Sequence, residues 1–402
     1  MNRHYAIFTR FRGVIQVSET SLKTVTEAMD KLINHAREAG ISPHTQRKMR
    51  YFSTKEVCHF IKKTTSTLYK AEEDGVIEKP EVNPETGRRI GYTLEQVNIL
   101  REHFKIVPRL KKDSPTKRLG ITTALYNFKG GVGKTTTAVN IAQYCALNGY
   151  KVLIIDMDSQ ASTSALFGIV GDGDVDAYDT VLPFTLYSEE TTLDYAIRET
   201  HFDNLHIIPA TQHLSSSEFE AVTQISSGDD DPLEYFQRLK EGIDTVRHNY
   251  DFVFVDAPPS LGIIGLQTLL SVDNIIIPCP PRMLDFVSTR QFLEMATEYV
   301  FKVAEGKVFN SIKVMASMYD RRNTKSNEFI EVMEAVLGRH MYANSMLHSE
   351  SIDNASAVFQ TPYEAIKPDK RITENMKDLF NEIITDLTSL NSFPITTEED
   401  EV

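Results

Sequence analysis

The residues that most constrain this chain lie near its middle: Phe128-Lys129-Gly130-Gly131-Val132-Gly133-Lys134-Thr135-Thr136. A β-branched run, ITTALYN, precedes them, and a helical stretch, TAVNIAQYCALNG, follows. Glycines 130, 131 and 133 let successive amide hydrogens turn inward, and the helix start adds its positive dipole end. Strand, loop and helix in that order form an anion cradle, so Gly130, Gly131, Val132, Gly133, Lys134, Thr135 and Thr136 are expected to hold a nucleotide's phosphates. Lys134 is expected to reach the β- and γ-phosphates, and the Thr135 hydroxyl to ligate Mg²⁺.

Two later runs supply acids. KVLIIDMDSQ carries Asp156 and Asp158 at alternate positions, which sends them to one side of a strand end. YDFVFVDAPPSLG presents Asp256 after four apolar residues, as a strand tip offers an acid to a metal. Phosphoryl transfer asks a protein mainly for positioning and charge neutralisation, so one of Asp156 and Asp158 is expected to hold water on the metal and the other to orient the attacking water, with Asp256 presented to Mg²⁺.

ITTALYN, KVLIIDMD, DFVFVDAP and NIIIPCP read as buried parallel strands, with helical stretches between them. The alternation predicts an α/β fold, a doubly wound and mostly parallel sheet with its ligand at the carboxyl ends of the strands. No apolar run approaches the ~20 residues needed to cross a bilayer. No secretory pattern opens the sequence, so the expectation is a cytoplasmic protein without a membrane partner. Cys58, Cys145 and Cys279 lie far apart in sequence and read as small apolar side chains rather than a disulfide, zinc or cluster framework.

The formal charge of −13 conceals a division: residues 1–118 carry 23 Lys and Arg against 14 Asp and Glu, and the remainder 20 against 42. A basic module on an acidic body suggests nucleic acid as a partner. Within that module, residues 20–38 place Leu22, Val25, Met29, Leu32, Ile33 and Ala36 on one helical stripe, which needs a partner in this chain or in a second copy. From Tyr51 onward, two short helices with a polar turn predict a helix-turn-helix, followed by a turn-rich hairpin bearing Arg88 and Arg89 and a further helix. The domain expectation is a helical dimerisation segment over 1–46, a winged helix-turn-helix over 47–108, a linker over 109–119, an ATPase domain over 120–392 and an acidic tail over 393–402. Thr65, Ser66, Thr67, Tyr69 and Lys70, with Arg88 and Arg89, are the expected DNA contacts.

K-G-G-V-G-K-T-T, D-M-D-S-Q and V-D-A-P-P-S-L-G together resemble the deviant Walker A P-loop NTPase family that includes ParA, MinD and the nitrogenase iron protein. Within it, the likeness is to the large ParA and SopA partition ATPases, which also carry an N-terminal helix and a winged helix-turn-helix. The resemblance implies that Asp158 orients the attacking water, that Asp156 and Asp256 belong to the metal shell, and that Lys129 reaches a partner's phosphates across an ATP-bound homodimer, which gives it a catalytic role beside Lys134 and Asp158. It implies that Pro280, Pro281 and Asp285 line base and sugar, and that Arg321, Arg322 and Lys325 meet nucleotide or non-specific DNA. It further implies ATP and ADP as ligands, binding to non-specific and operator DNA, stimulation by a ParB-type partner, filament formation as an option, and association with the nucleoid. One departure stands out: Ser159 occupies the position of the family's proline in D-x-D-P-Q. A transcription regulator with a nucleotide-sensing ATPase domain is the competing reading, and the acidic C-terminus speaks against a MinD-like membrane-surface role.

Overall fold

The computed structural model describes residues 22–38, 48–106, 119–170, 174–227 and 232–390. The expected linker over 109–119 falls outside them except for its last residue, and the expected tail lies wholly outside. The four apolar runs form strands β1 (Ile121–Leu125), β2 (Val152–Asp156), β5 (Phe252–Asp256) and β6 (Asn274–Cys279). Every residue of these four is buried, as expected of parallel strands covered on both faces. Three further strands, β3 (Arg198–Glu199), β4 (Leu205–Ile208) and β7 (Ser311–Ala316), complete a seven-stranded sheet of order β3-β4-β2-β5-β1-β6-β7. All pairings are parallel except the short β3 against β4. Outside β7, isolated parallel bridges join Val314 to Met341 and Tyr319 to Leu347.

Alternation along the strands feeds two cores. Ile121, Ile154, Phe252, Phe254 and Ile276 belong to one apolar cluster, whereas Ala124, Leu153, Ile155, Val253 and Ile277 belong to the other. The first cluster takes in α5 (Lys134–Leu147) and the long α14 (Lys370–Leu390), whose Ile372, Met376, Leu379, Phe380, Ile383 and Leu387 recur at helical spacing. The second takes in α9 (Pro232–Val246), α10 (Ile263–Ser271) and α11 (Met283–Val303). The remaining helices of the body are α6 (Ser162–Leu166), α7 (Leu182–Thr185), α8 (His213–Ser227), α12 (Thr324–Leu337) and α13 (Glu350–Ser356).

Ahead of the body, α1 (Leu22–Glu38) keeps its apolar stripe in solvent, with Val25, Met29, Leu32 and Ile33 exposed. Then come α2 (Thr54–Phe60), α3 (Thr65–Glu73), a hairpin in which Val82 bridges Arg89, and α4 (Leu94–His103). Local chemistry sets these boundaries. Ser53 with Glu56 and Thr93 with Gln96 form capping boxes, Thr64 caps α3, and Gly75 turns the chain beyond it at φ +74°. The side chains of this unit do not close a separate core. Phe52, Val57, Ile61, Leu68, Tyr92, Val97 and Leu100 join the same buried cluster as α5 and α14. Cys145 and Cys279 are buried, whereas Cys58 is partly exposed, and all three are free.

Candidate functional site

The central strand β1 delivers the chain into the glycine loop. Asn127 fastens the base of that loop: its amide nitrogen donates to the Pro278 carbonyl (3.0 Å) and the Thr289 hydroxyl (2.8 Å), and its oxygen accepts from the Lys129 amide (3.2 Å). Gly131 at φ +70° and Gly133 at φ +90° take left-handed conformations that a Cβ would strain. Val132 is buried, and its carbonyl accepts from the Ser317 hydroxyl at the end of β7 (2.7 Å). Around Gly130 and Gly131 nothing approaches the position of a Cβ, so the hollow above the loop is open. Helix α5 starts at Lys134 without a side-chain cap, which leaves its first amides directed at that hollow.

The charged groups converge here. Lys134 is only 7% exposed; burial pulls its ammonium down, and Asp256 and Asp158 push it back up. Its Nζ donates to the Lys129 carbonyl (3.3 Å). The Thr135 hydroxyl donates to Asp256 Oδ2 (2.7 Å), which also accepts from Thr163 (2.8 Å), while Asp256 Oδ1 is buried without a partner. Burial drives the Asp156 and Asp256 carboxyls well above the usual carboxylate range, and Asp256 raises Asp156 further. Asp156 turns out to brace the segment after it. Its Oδ2 accepts from the amide and hydroxyl of Ser164 (2.9 and 2.7 Å), and its Oδ1 from the Asp158 amide (3.1 Å). The orphan oxygen that could face a cation therefore belongs to Asp256. Among the described residues no cluster of three or more His, Cys, Asp or Glu side chains makes a cation cage by itself. A threonine hydroxyl and one unsatisfied carboxylate oxygen beside a phosphate cradle do fit a hard cation that draws its other ligands from nucleotide and water.

The turn that contains Ser159 is hydrogen-bonded on both sides of it. Asp158 accepts from the Gln160 amide through Oδ1 (3.0 Å) and from the Ala161 amide through its carbonyl (2.8 Å), and Ala161 sits at φ +51°. Lys129, the residue expected to reach a partner's phosphates in an ATP-bound homodimer, forms an ion pair with Asp285 at 2.5 Å within the single chain. A cavity of about 220 Å³ opens beside the loop, lined by Gly131, Gly133, Thr136 and Thr137 and by Met318, Met346, Leu347 and His348. Pro280, Pro281 and Asp285 are not among its lining residues. The sequence reading missed Met318, Met346, Leu347 and His348, and also Thr163, which stands three residues beyond Gln160.

The expected DNA contacts divide. Thr65, Ser66, Lys70 and Arg88 are exposed. Thr67 donates its amide to the Thr64 hydroxyl and is only partly exposed. Arg89 has its guanidinium engaged within the unit. It pairs with both oxygens of the buried Glu72 (2.7 and 3.0 Å), contacts the Tyr92 hydroxyl and covers the Tyr69 ring at 4.6 Å. Far along the chain, Arg321, Arg322 and Lys325 are all exposed, and the Arg322 guanidinium makes two hydrogen bonds to Asp320.

Comparisons with known proteins agree with this geometry. A family described as "AAA domain" matches residues 121–304. Protein SopA of Escherichia coli strain K12 is 28% identical over 84% of this chain and 86% of its own length. The chromosome-partitioning ATPase Soj of Treponema pallidum is 30% identical over 56% of this chain and 81% of its own. A solved structure described as "Partition Protein" superposes with a TM-score of 0.63 across 92% of this chain and 99% of that one, at 15% identity, a likeness of fold. With its loop, acids and sheet order described and a Soj relative matched over most of its length, the chain belongs to the ParA/SopA-type partition ATPases.

Proposed function

We propose that this chain hydrolyses ATP to drive the segregation of DNA. The observation that carries the reading is the glycine-lined hollow between Lys129 and Lys134, set above the unpartnered oxygen of Asp256. The phosphates lie against the loop amides and the start of α5, Lys134 spans the β- and γ-phosphates, and the base enters the cavity lined by Met318, Met346, Leu347 and His348. Thr135 and Asp256 would hold Mg²⁺, which would supply charge neutralisation at the phosphates. Asp158 orients the water; the Gln160 amide holds its carboxylate and the Ala161 amide holds its carbonyl. Lys129 leaves Asp285 for the phosphates of a second copy in an ATP-bound homodimer.

In the same reading, the ATP dimer covers non-specific DNA, a ParB-type protein stimulates hydrolysis, and the unit from α2 to α4 is a winged helix-turn-helix that represses the chain's own operon. The exposed amino end of α3 supports the last point. The protein works in the cytoplasm on the nucleoid. Lys134→Ala removes one charge-assisted phosphate contact of roughly 1.5–3 kcal/mol, so titration calorimetry with MgATP should show affinity lower by about tenfold or more. Unchanged affinity in that variant would overturn the phosphate-site reading.

A further inference from the structure

Helix α5 has the phosphate loop at its amino end and, at its carboxyl end, a side chain from another part of the sequence. Arg101, on α4 of the amino-terminal unit, is 2% exposed and donates Nη2 to the carbonyl of Leu147, the last residue of α5, at 2.5 Å. Its Nη1 donates to Asn98 Oδ1 (2.5 Å), and Asn98 in turn donates to Asp203 Oδ2 of the body (2.6 Å). The guanidinium also lies 5.2 Å from the ring centre of Phe60, at the end of α2. Burial pulls Arg101 down to about 10, so it is charged at neutral pH and rests on the negative end of the helix dipole.

A buried guanidinium has few acceptors and no water to fall back on, so it follows the carbonyl that it holds. Helix α5 is a rod of about 21 Å at 1.5 Å per residue, and its interior is packed on both sides, so a shift at one end reaches the other. At the amino end nothing lies within 4 Å of where a Cβ would stand on Gly130 or Gly131, so the loop is open there to a bound phosphate. We propose that Arg101 is a positioning residue that links nucleotide occupancy of the loop to the seating of the α2–α4 unit on the body, by holding the carboxyl end of the phosphate-loop helix. The inference rests on the nucleotide reading above. It adds a physical connection between two ends of the molecule that are 33 residues apart in sequence, from Arg101 to Lys134.

The test is amide hydrogen exchange on the full chain, with and without MgADP, for wild type, Arg101→Met and Arg101→Lys. In the wild type, nucleotide should slow exchange by threefold or more both at residues 130–136 and at residues 54–103. Arg101→Met should keep the loop response and lose the response at 54–103, and Arg101→Lys should restore part of it. A response at 54–103 that survives in Arg101→Met, or that is absent in the wild type while the loop is protected, overturns the proposal. Absence of loop protection in the wild type overturns the nucleotide reading as well, so the two failures are told apart. Should Arg101→Met fail to fold, Asn98→Ala leaves the guanidinium in place without the oxygen that orients it, and it should weaken the response at 54–103 in the same selective way.

Discussion

Lys129 lies on Asp285, and Asp285 is 7% exposed at its side chain against 36% for the lysine, so the pair is anchored from the acid side. A lysine needed by a second copy must first leave this contact. Asp285→Asn should therefore favour ATP-dependent dimerisation by up to about fivefold, the equivalent of roughly 1 kcal/mol for a partly exposed pair. Sedimentation velocity with MgATP measures it, and unchanged or weaker association would mean that the pair does not restrain the lysine. Arg88 and Arg89 make a second contrast. Arg88→Ala should leave stability alone and lower the salt slope of duplex binding by about 1, as for the loss of one phosphate contact. Arg89→Ala leaves the buried Glu72 with only the Tyr92 hydroxyl donating to it (2.6 Å), and should cost about 1–3 kcal/mol in urea unfolding.

At the scale of strands and helices, β4 carries His206 near the sheet edge, with Nδ1 against the Tyr250 hydroxyl at 2.8 Å. Burial holds this imidazole below its ordinary value of 6.5. The unfolded chain thus binds the proton more readily, so the stability contributed here is present above the ordinary value and is lost as the pH falls through and below it. Urea midpoints should decline from pH 7.5 to 5.5, and His206→Gln should flatten that decline. Elements built by local rules were legible beforehand: the strand-loop-helix cradle, the capped α2 and α3, and the hairpin all follow from neighbours in sequence. LHII and SIKVMA, too short to show a period, hid β4 and β7. The partner of Arg89 lies 17 residues away, and Met346 meets the loop only because the sheet order brings the chain back to it. The contact of Asp156 with Ser164, eight residues further on, also waited for the fold to bring the two together.

For the molecule as a whole, the division of charge does not coincide with a division of structure. The unit from α2 to α4, which lies within the basic first 118 residues, and the acidic body share one apolar cluster, reinforced by Arg101 on Leu147 and by Arg50 on the Tyr363 carbonyl at 3.2 Å. Calorimetry should accordingly record the two melting in a single transition, and Leu100→Ala, at about 2–5 kcal/mol, should lower that one transition rather than release the unit alone. A separate low-temperature peak for residues 48–106 would contradict the shared core. The bridges at Val314 and Tyr319 carry a different consequence for the company the protein keeps. They shield the outer margin of β7, and at the opposite margin β3 offers only two residues, too little backbone to template another strand. Among the described residues neither margin of the sheet offers a long unpaired strand, so joining two copies edge to edge into one continuous sheet is disfavoured.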